Sequence, residues 1–370
     1  MDIKVIAMYL PQFHQIPEND EFWGKGFTDW VTVKNAKPVF VGHNQPRVPY
    51  NQKYYDLSKD ENVEWQAKLA KESGIYGFGV YHYWFNNQKN LLTKPAEIIR
   101  DCKEYPLKYF FIWDDNSWIR SWSNVAGNAW APVADETAPR KGPTVMVEFV
   151  LGEEKEWKNH YLYLRTHFLS PNYEKVENKP VFGIITYKKG MEKMCRYWDE
   201  LAKKDGFDGI FYIFQRNRTT VNLQWAVTYT YQPHNASLGK KSLPKKIESK
   251  VLSLLNIKKK AKLRYFNYDK VWTEVLRQSR RDSSNRIINC GFVDYDDSPR
   301  RGASRGSIFM GASPDKFKKY FKELVEITKS QDKDYLFLTA WNEWGEGAYL
   351  EPDETNGTKY LDAIQEVLKQ

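Results

Sequence analysis

The sequence predicts a single-domain α/β protein, a (β/α)8 TIM barrel spanning residues 1–370, with long loops on the C-terminal face. Three observations predict it. Short apolar runs of β-forming residues alternate with stretches of helical periodicity along the whole chain; there are eight such runs; and the long irregular pieces, 11–56, 116–143 and 294–312, each follow one of them. Alternation of strand and helix argues for a parallel sheet, and eight units with no leftover strand argue for closure over a doubly wound sheet.

In chain order the strands are expected at Ile3–Leu10, Tyr76–Tyr83, Leu107–Trp113, Pro180–Thr186, Gly209–Phe214, Trp225–Tyr231, Ile287–Val293 and Tyr335–Trp341. Helical stretches fall between them at Ser58–Ser73, Thr93–Glu104, Val147–Phe168, Met191–Lys204, Asp269–Arg280, Ser313–Lys329 and Lys359–Lys369, each long enough for a crossover. Ser313-Pro314-Asp315 shows how one begins: Ser can cap, Pro tolerates the first turn, and Phe317, Phe321, Leu324 and Ile327 then mark one apolar face. The connection at 216–224 is too short for a good helix. No linker, low-complexity tract or repeat divides the chain.

Composition narrows the function classes. The chain is 41% apolar and 28% charged, enough for a folded core. Aromatics make up 16%, with 14 Trp and 24 Tyr, more than a core of ordinary aliphatic residues needs. Sugar-binding clefts use such rings, because the apolar face of a pyranose stacks on an aromatic plane while its hydroxyls seek polar partners. Cys102, Cys195 and Cys290 are far apart, which indicates neither a disulfide framework nor a zinc cluster, and fits a reducing compartment. The apolar run Val5–Leu10 ends at Pro11, too short for a signal-peptide core or a membrane span, so a cytoplasmic protein is expected. The net charge of +9 is concentrated: residues 239–264 hold ten Lys or Arg against the single acid Glu248. That segment reads either as a solvated loop and helix or, with Val251, Leu252, Leu254, Leu255 and Ile257 among the lysines, as a contact with an anionic membrane surface. No nucleic-acid motif accompanies it, and no nucleic-acid partner is expected.

The strongest chemical signal follows the eighth strand: Trp341-Asn342-Glu343-Trp344-Gly345-Glu346-Gly347, continuing to Leu350-Glu351-Pro352. Two carboxylates three residues apart, bracketed by tryptophans at a barrel mouth, suit glycoside cleavage. One acid protonates the leaving oxygen, the other assists attack at the anomeric carbon, and partly apolar walls raise the pKa of the acid. Glu343 and Glu346 are therefore the candidate catalytic pair. Candidate substrate contacts gather at other strand ends: Tyr9, Gln12 and His14 after the first, Trp30 in the loop beyond, His82, Tyr83 and Trp84 after the second, Trp113, Asp114, Asn116 and Trp118 after the third, and Tyr231 after the sixth. Asp294, Asp296 and Arg300 follow the seventh, where Arg300 and Arg301 suit sugar hydroxyls or an anionic group such as phosphate. Trp341, Asn342, Trp344 and Glu351 complete the set. Asp294-Tyr295-Asp296 is also an Asp-x-Asp of the kind with which nucleotide-sugar transferases hold a divalent metal, but the tripeptide is common by chance. There is no G-x-G-x-x-G, Walker-type loop or H-E-x-x-H, and no metal or cofactor is expected.

Taken together, Tyr9-Leu10-Pro11-Gln12-Phe13-His14, Gly26-Phe27-Thr28-Asp29-Trp30, Tyr81-His82-Tyr83-Trp84-Phe85, Lys179-Pro180-Val181-Phe182, Asp297-Ser298-Pro299-Arg300 and the Glu343–Glu346 segment resemble the WbsX-type proteins of bacterial surface-polysaccharide gene clusters. These are relatives of the glycoside hydrolase family 99 endo-α-mannosidases and endomannanases, and the resemblance runs over nearly the whole chain. It implies that Glu343 is a base on the sugar 2-hydroxyl, which attacks the anomeric carbon to give a 1,2-anhydro sugar, and that Glu346 is the general acid/base, with retention at an α-manno-like centre. It further implies an oligo- or polysaccharide substrate, a surface polysaccharide or its lipid-linked precursor; the basic segment and the absence of a signal-peptide core fit an enzyme expected at the inner face of the membrane. Hydrolysis and transfer to a sugar acceptor follow the same logic; sugar-nucleotide-dependent transfer and a non-catalytic glycan-binding role are the other readings. The chain departs from its relatives after the third strand, where Trp113-Asp114-Asp115-Asn116-Ser117-Trp118 replaces the usual Trp-Ala-Asn-Glu-Asn-Trp.

Overall fold

In the computed structural model, which describes residues 2–120, 144–216, 223, 225–237 and 263–369, eight parallel strands close into a barrel. They are β1 (Lys4–Tyr9), β2 (Gly77–Asn86), β3 (Lys108–Trp113), β4 (Lys179–Ile184), β5 (Phe211–Gln215), β6 (Val227–Tyr229), β7 (Ile287–Phe292) and β8 (Tyr335–Thr339). Closure is visible in the register: β1 pairs with β2, Ile6 opposite Gly77, and with β8, Lys4 opposite Tyr335. Packed on both faces, the strands are apolar almost throughout; every residue of β8 is buried.

The helices of the outer layer are α1 (Asp60–Glu72), α2 (Lys94–Asp101), α3 (Glu154–Phe168), α4 (Met191–Lys204), α5 (Tyr268–Arg281), α6 (Pro314–Ser330) and α7 (Lys359–Leu368). At the start of α6 the Ser313 hydroxyl accepts the Lys316 amide at 3.3 Å, and Phe317, Phe321, Leu324 and Ile327 face inward.

Two expectations need correction. The third helix begins at Glu154, not Val147, because Thr144–Val147 is a strand antiparallel to Trp118–Arg120 and a reciprocal cap between Glu153 and Glu156 sets the helix start. Leftover strands also exist: Lys89–Leu91 folds back on β2, Lys175–Val176 pairs with β4, Arg264–Asn267 pairs with Ser307–Met310, and Asn342–Glu343 pairs with Ala348–Tyr349. The connection at 216–224 and the basic segment 239–264 lie largely outside the described residues. Among the described residues no helix is long and apolar enough to cross a membrane.

Candidate active site

The loop after β8 is built to hold two glutamates still. Asn342 ties it to the first strand: its Oδ1 accepts the Leu10 amide at 2.7 Å and its Nδ2 donates to the Leu10 carbonyl at 3.0 Å. One 3-10 turn, Trp344–Glu346, then brings the chain back, and Gly347 takes a left-handed φ of 59° to complete the reversal.

Above this turn the Arg300 guanidinium joins three carboxylates. Its Nη2 donates to Glu343 Oε2 at 3.1 Å and to Asp29 Oδ2 at 3.1 Å, its Nη1 to Glu346 Oε1 at 2.9 Å, and its Nε to Asp29 Oδ1 at 3.3 Å. Asp29 also accepts the Gly345 amide at 3.2 Å. A Cβ on residue 345 would stand 2.6 Å from Arg300 Nε and 2.7 Å from Asp29 Oδ2, so any side chain there would displace the Arg300–Asp29 pair. The Asp29 amide in turn donates to the Gln12 carbonyl at 3.1 Å, so the loop after β1 positions this third acid. One cation faces three acids, and the deficit is expressed at Glu343: burial, reinforced by Glu346 and Asp29 against the opposing pull of Arg300, pushes its carboxyl up to about 8.

Of the residues singled out in the sequence, one group lies around this cluster. The hydroxyls of Tyr83 and Tyr231 are pushed up by burial and by the nearby acids, Asp114, Glu343 and Asp29 for the first and Glu346 and Glu343 for the second. Trp118 meets the Tyr83 ring edge-on at 5.4 Å. Asp114 is partly exposed, accepts Asn116 Nδ2 at 2.8 Å, and is pushed up by burial.

A second group supports the site from beneath. Glu351 is 3% exposed, and its carboxylate accepts Trp344 Nε1 at 2.6 Å, the Tyr55 hydroxyl at 2.7 Å and Gln66 Nε2 at 2.7 Å, while Gln66 accepts the Tyr9 hydroxyl. Trp30 packs against Trp344 at 5.5 Å and donates to the Tyr55 carbonyl. Trp341 is buried against Phe78. These side chains, with Asn342, are enclosed by protein and do not face the mouth. His14 is buried within the field of Asp56, and burial pushes its imidazole down.

A third group points the wrong way for a ligand in the barrel mouth. Successive side chains of a strand alternate between faces. Tyr81 and Tyr83 turn toward Glu343, so His82 and Trp84 turn outward under α3, where His82 Nε2 lies 2.8 Å from His160 Nε2 and Trp84 stacks on His160 at 4.4 Å. Trp113 likewise packs on His160 and Trp198 of the helical layer. The structure withdraws these three residues from the substrate-facing set.

Asp294 and Asp296 form a separate cluster. Arg47 Nη2 donates to Asp294 Oδ2 at 2.8 Å. Asp296 Oδ2 bonds His43 Nε2 at 2.8 Å and Gln45 Nε2 at 2.7 Å, its Oδ1 accepts the Ser298 amide at 3.0 Å, and these partners together with the charge of Arg47 outweigh burial, which alone would raise its carboxyl, and hold it down at about 2. The pair anchors the 39–47 loop, and among the described residues no group of three or more His, Cys, Asp or Glu is placed to hold a metal ion. Arg300 is committed to acids, whereas Arg301, half exposed, engages Asp297 through its Nε at 2.7 Å.

Sequence reasoning left Asp29, Tyr81 and His234 out of the site. Asp29 stood within a segment already quoted, one residue before Trp30. His234 stacks on Tyr231 at 5.4 Å within the field of Glu346, and only its position after the sixth strand could have signalled it.

The closed eight-stranded barrel, with the Glu343–Glu346 turn following its last strand, defines a TIM-barrel fold. The fold agrees with a GH99 endo-alpha-mannosidase from Bacteroides thetaiotaomicron, at 12% identity and a TM-score of 0.55 over 100% of this chain and 97% of that one. It agrees also with a glycoside hydrolase-like protein, at 13% identity and 0.57 over 99% and 94%. In sequence, residues 5–364 match the family model described as Glycosyltransferase WbsX, and the chain belongs to that family. The uncharacterized protein WxcX of Xanthomonas campestris pv. campestris is 28% identical over 98% of this chain but 49% of its own length, so the chain spans about half of that relative.

Proposed function

We propose that this chain acts with retention on α-mannoside-like glycosidic bonds of a bacterial surface polysaccharide or its lipid-linked precursor, as a glycosidase or transglycosidase with Glu343 and Glu346 as catalytic pair. The observation that carries this reading is the single guanidinium that fixes both glutamates at the barrel mouth and engages one oxygen of each. The second oxygen of each is left for proton transfer.

In the ring-closing step the substrate O2 attacks C1, its proton passes to Glu343, and the departing glycosidic oxygen takes a proton from Glu346. A water or sugar hydroxyl then opens the 1,2-anhydro ring at C1, returning its proton to Glu346 while O2 recovers the one held by Glu343. A carboxylate whose conjugate acid titrates near 8 is a stronger base than an ordinary glutamate and better matched to a sugar hydroxyl. Tyr83, Tyr231, Asp114, Asn116 and Trp118 are the side chains around the pair best placed to contact the sugar. The family's transferase description favours a sugar acceptor over water.

The test is product release from α-mannan oligosaccharides and lipid-linked surface glycans, without nucleotide sugar, for wild type, Glu343→Gln and Glu346→Gln. Turnover by wild type that both substitutions abolish supports the assignment. Turnover that appears only with an added sugar nucleotide, and survives both substitutions, replaces it with nucleotide-dependent transfer.

A further inference from the structure

Beside the mouth the structure exposes an apolar tip that the chemistry above does not use. Residues 37–42 read Lys-Pro-Val-Phe-Val-Gly, with Val41 fully exposed. The Phe40 ring lies 5.9 Å from that of Tyr265, on the short ribbon of Arg264–Asn267 and Ser307–Met310. Register sorts the ribbon's faces. Phe266 and Phe309 stack on each other at 4.9 Å, and Phe309 continues inward onto Phe292 and Tyr295; Tyr265 and Met310 occupy the opposite face, 54% and 40% exposed.

The tip is rigidly mounted. Phe40 stacks on His43 at 4.6 Å, and His43, Gln45 and Arg47 hold Asp296 and Asp294 at the end of β7. The Phe309 amide donates to the Tyr295 carbonyl at 2.9 Å, fixing the ribbon to the same strand end, four to six residues of chain from Arg300. Its charge is one-sided: Lys37 precedes the tip, Arg264 opens the ribbon, and residues 36–44 and 264–267 contain no acid.

We propose that Phe40, Val41, Tyr265 and Met310 form a docking surface for an anionic lipid bilayer, which brings the barrel mouth to the membrane. Few apolar side chains dipping into the interface hold a protein only weakly, and basic side chains beside them, Lys37 and Arg264 here, supply the second attraction that makes binding stable. The inference concerns binding alone and stands or falls independently of what the glutamate pair does.

The experiment is co-sedimentation with vesicles of phosphatidylcholine alone and of phosphatidylcholine with phosphatidylglycerol, for wild type, Val41→Asp, Tyr265→Asp and the double variant, with circular dichroism and melting curves as folding controls. Wild type should bind the anionic vesicles, bind less as salt rises, and leave the neutral vesicles unbound. The double variant, folded as wild type, should bind about tenfold more weakly. Undiminished binding by the folded double variant would assign the contact to basic residues alone and overturn the patch. Failure of wild type to bind anionic vesicles would overturn it as well, as would self-association of wild type in sedimentation velocity that the double variant loses.

Discussion

Two carboxylate clusters lie side by side at the mouth of this barrel, and Asp296 in one and Glu343 in the other are displaced in opposite directions. Asp294 and Asp296 meet Arg47, His43, Gln45 and a backbone amide, and Asp296 is held down at about 2. Asp29, Glu343 and Glu346 share one cation, Arg300, with the Gly345 amide as a further donor to Asp29 only, and Glu343 is driven up to about 8. Both clusters are largely buried, so burial does not separate them; the supply of donors does. Satisfied acids make a joint between loops, whereas an under-supplied set retains a group that exchanges its proton near neutrality.

The largest expected effect breaks the second cluster. Glu346→Gln should lower kcat/KM by about 10²- to 10⁴-fold, the usual yield of a general acid–base group, with little change in melting temperature. Next, Asp29→Asn should lower kcat by about 10²-fold through a misplaced Arg300. Because Asp29 helps push Glu343 up, the same variant should move the titration of kcat/KM to lower pH; an unmoved midpoint would deny the coupling.

The pH dependence itself sharpens the contrast. If Glu343 is the base, kcat/KM rises with pH through about 8; a fall there would exchange the roles of the two glutamates. Stability should respond with opposite signs. The folded-state carboxyl of Glu343 lies above its ordinary 4.5, so its contribution is present below about 4.5 and lost as pH rises through about 8; Glu343→Gln should therefore melt higher than wild type in mild alkali. Asp296 lies below its ordinary 3.8, so its contribution is present above that value and lost as pH falls through about 2. The smallest effect on turnover belongs here. Asp296→Ala should cost about 1–3 kcal/mol in denaturant unfolding at neutral pH, by leaving buried donors unpaired, while kcat changes little.

The barrel was legible because its strands are bare apolar runs and its helices carry their own start signals, such as Ser313 before Pro314. The same property hid which way strand residues point. In a sheet covered on both faces the pattern of polarity does not separate inside from outside, so His82 and Tyr83 looked equivalent until Tyr83 was seen beside Glu343 and His82 beside His160. The glutamate pair was legible because it is local, three residues apart. Asp29 was not, because its partner Arg300 lies 271 positions away and a single acid in a loop carries no spacing. The third helix start failed for a local reason: Thr144–Val147 is too short and isolated to announce a strand when its partner, Trp118–Arg120, is distant in sequence.

The side-chain clasp of Asn342 on the Leu10 backbone has a bearing on how this protein comes to be active. It joins the end of the last barrel strand to the end of the first, 332 residues apart, and the glutamates follow it immediately. Contacts so distant in sequence form late in folding, because the intervening chain must first be ordered. The event that closes the barrel is thus also the event that creates the acid pair, and intermediates lacking the seam between β8 and β1 should carry no partial activity.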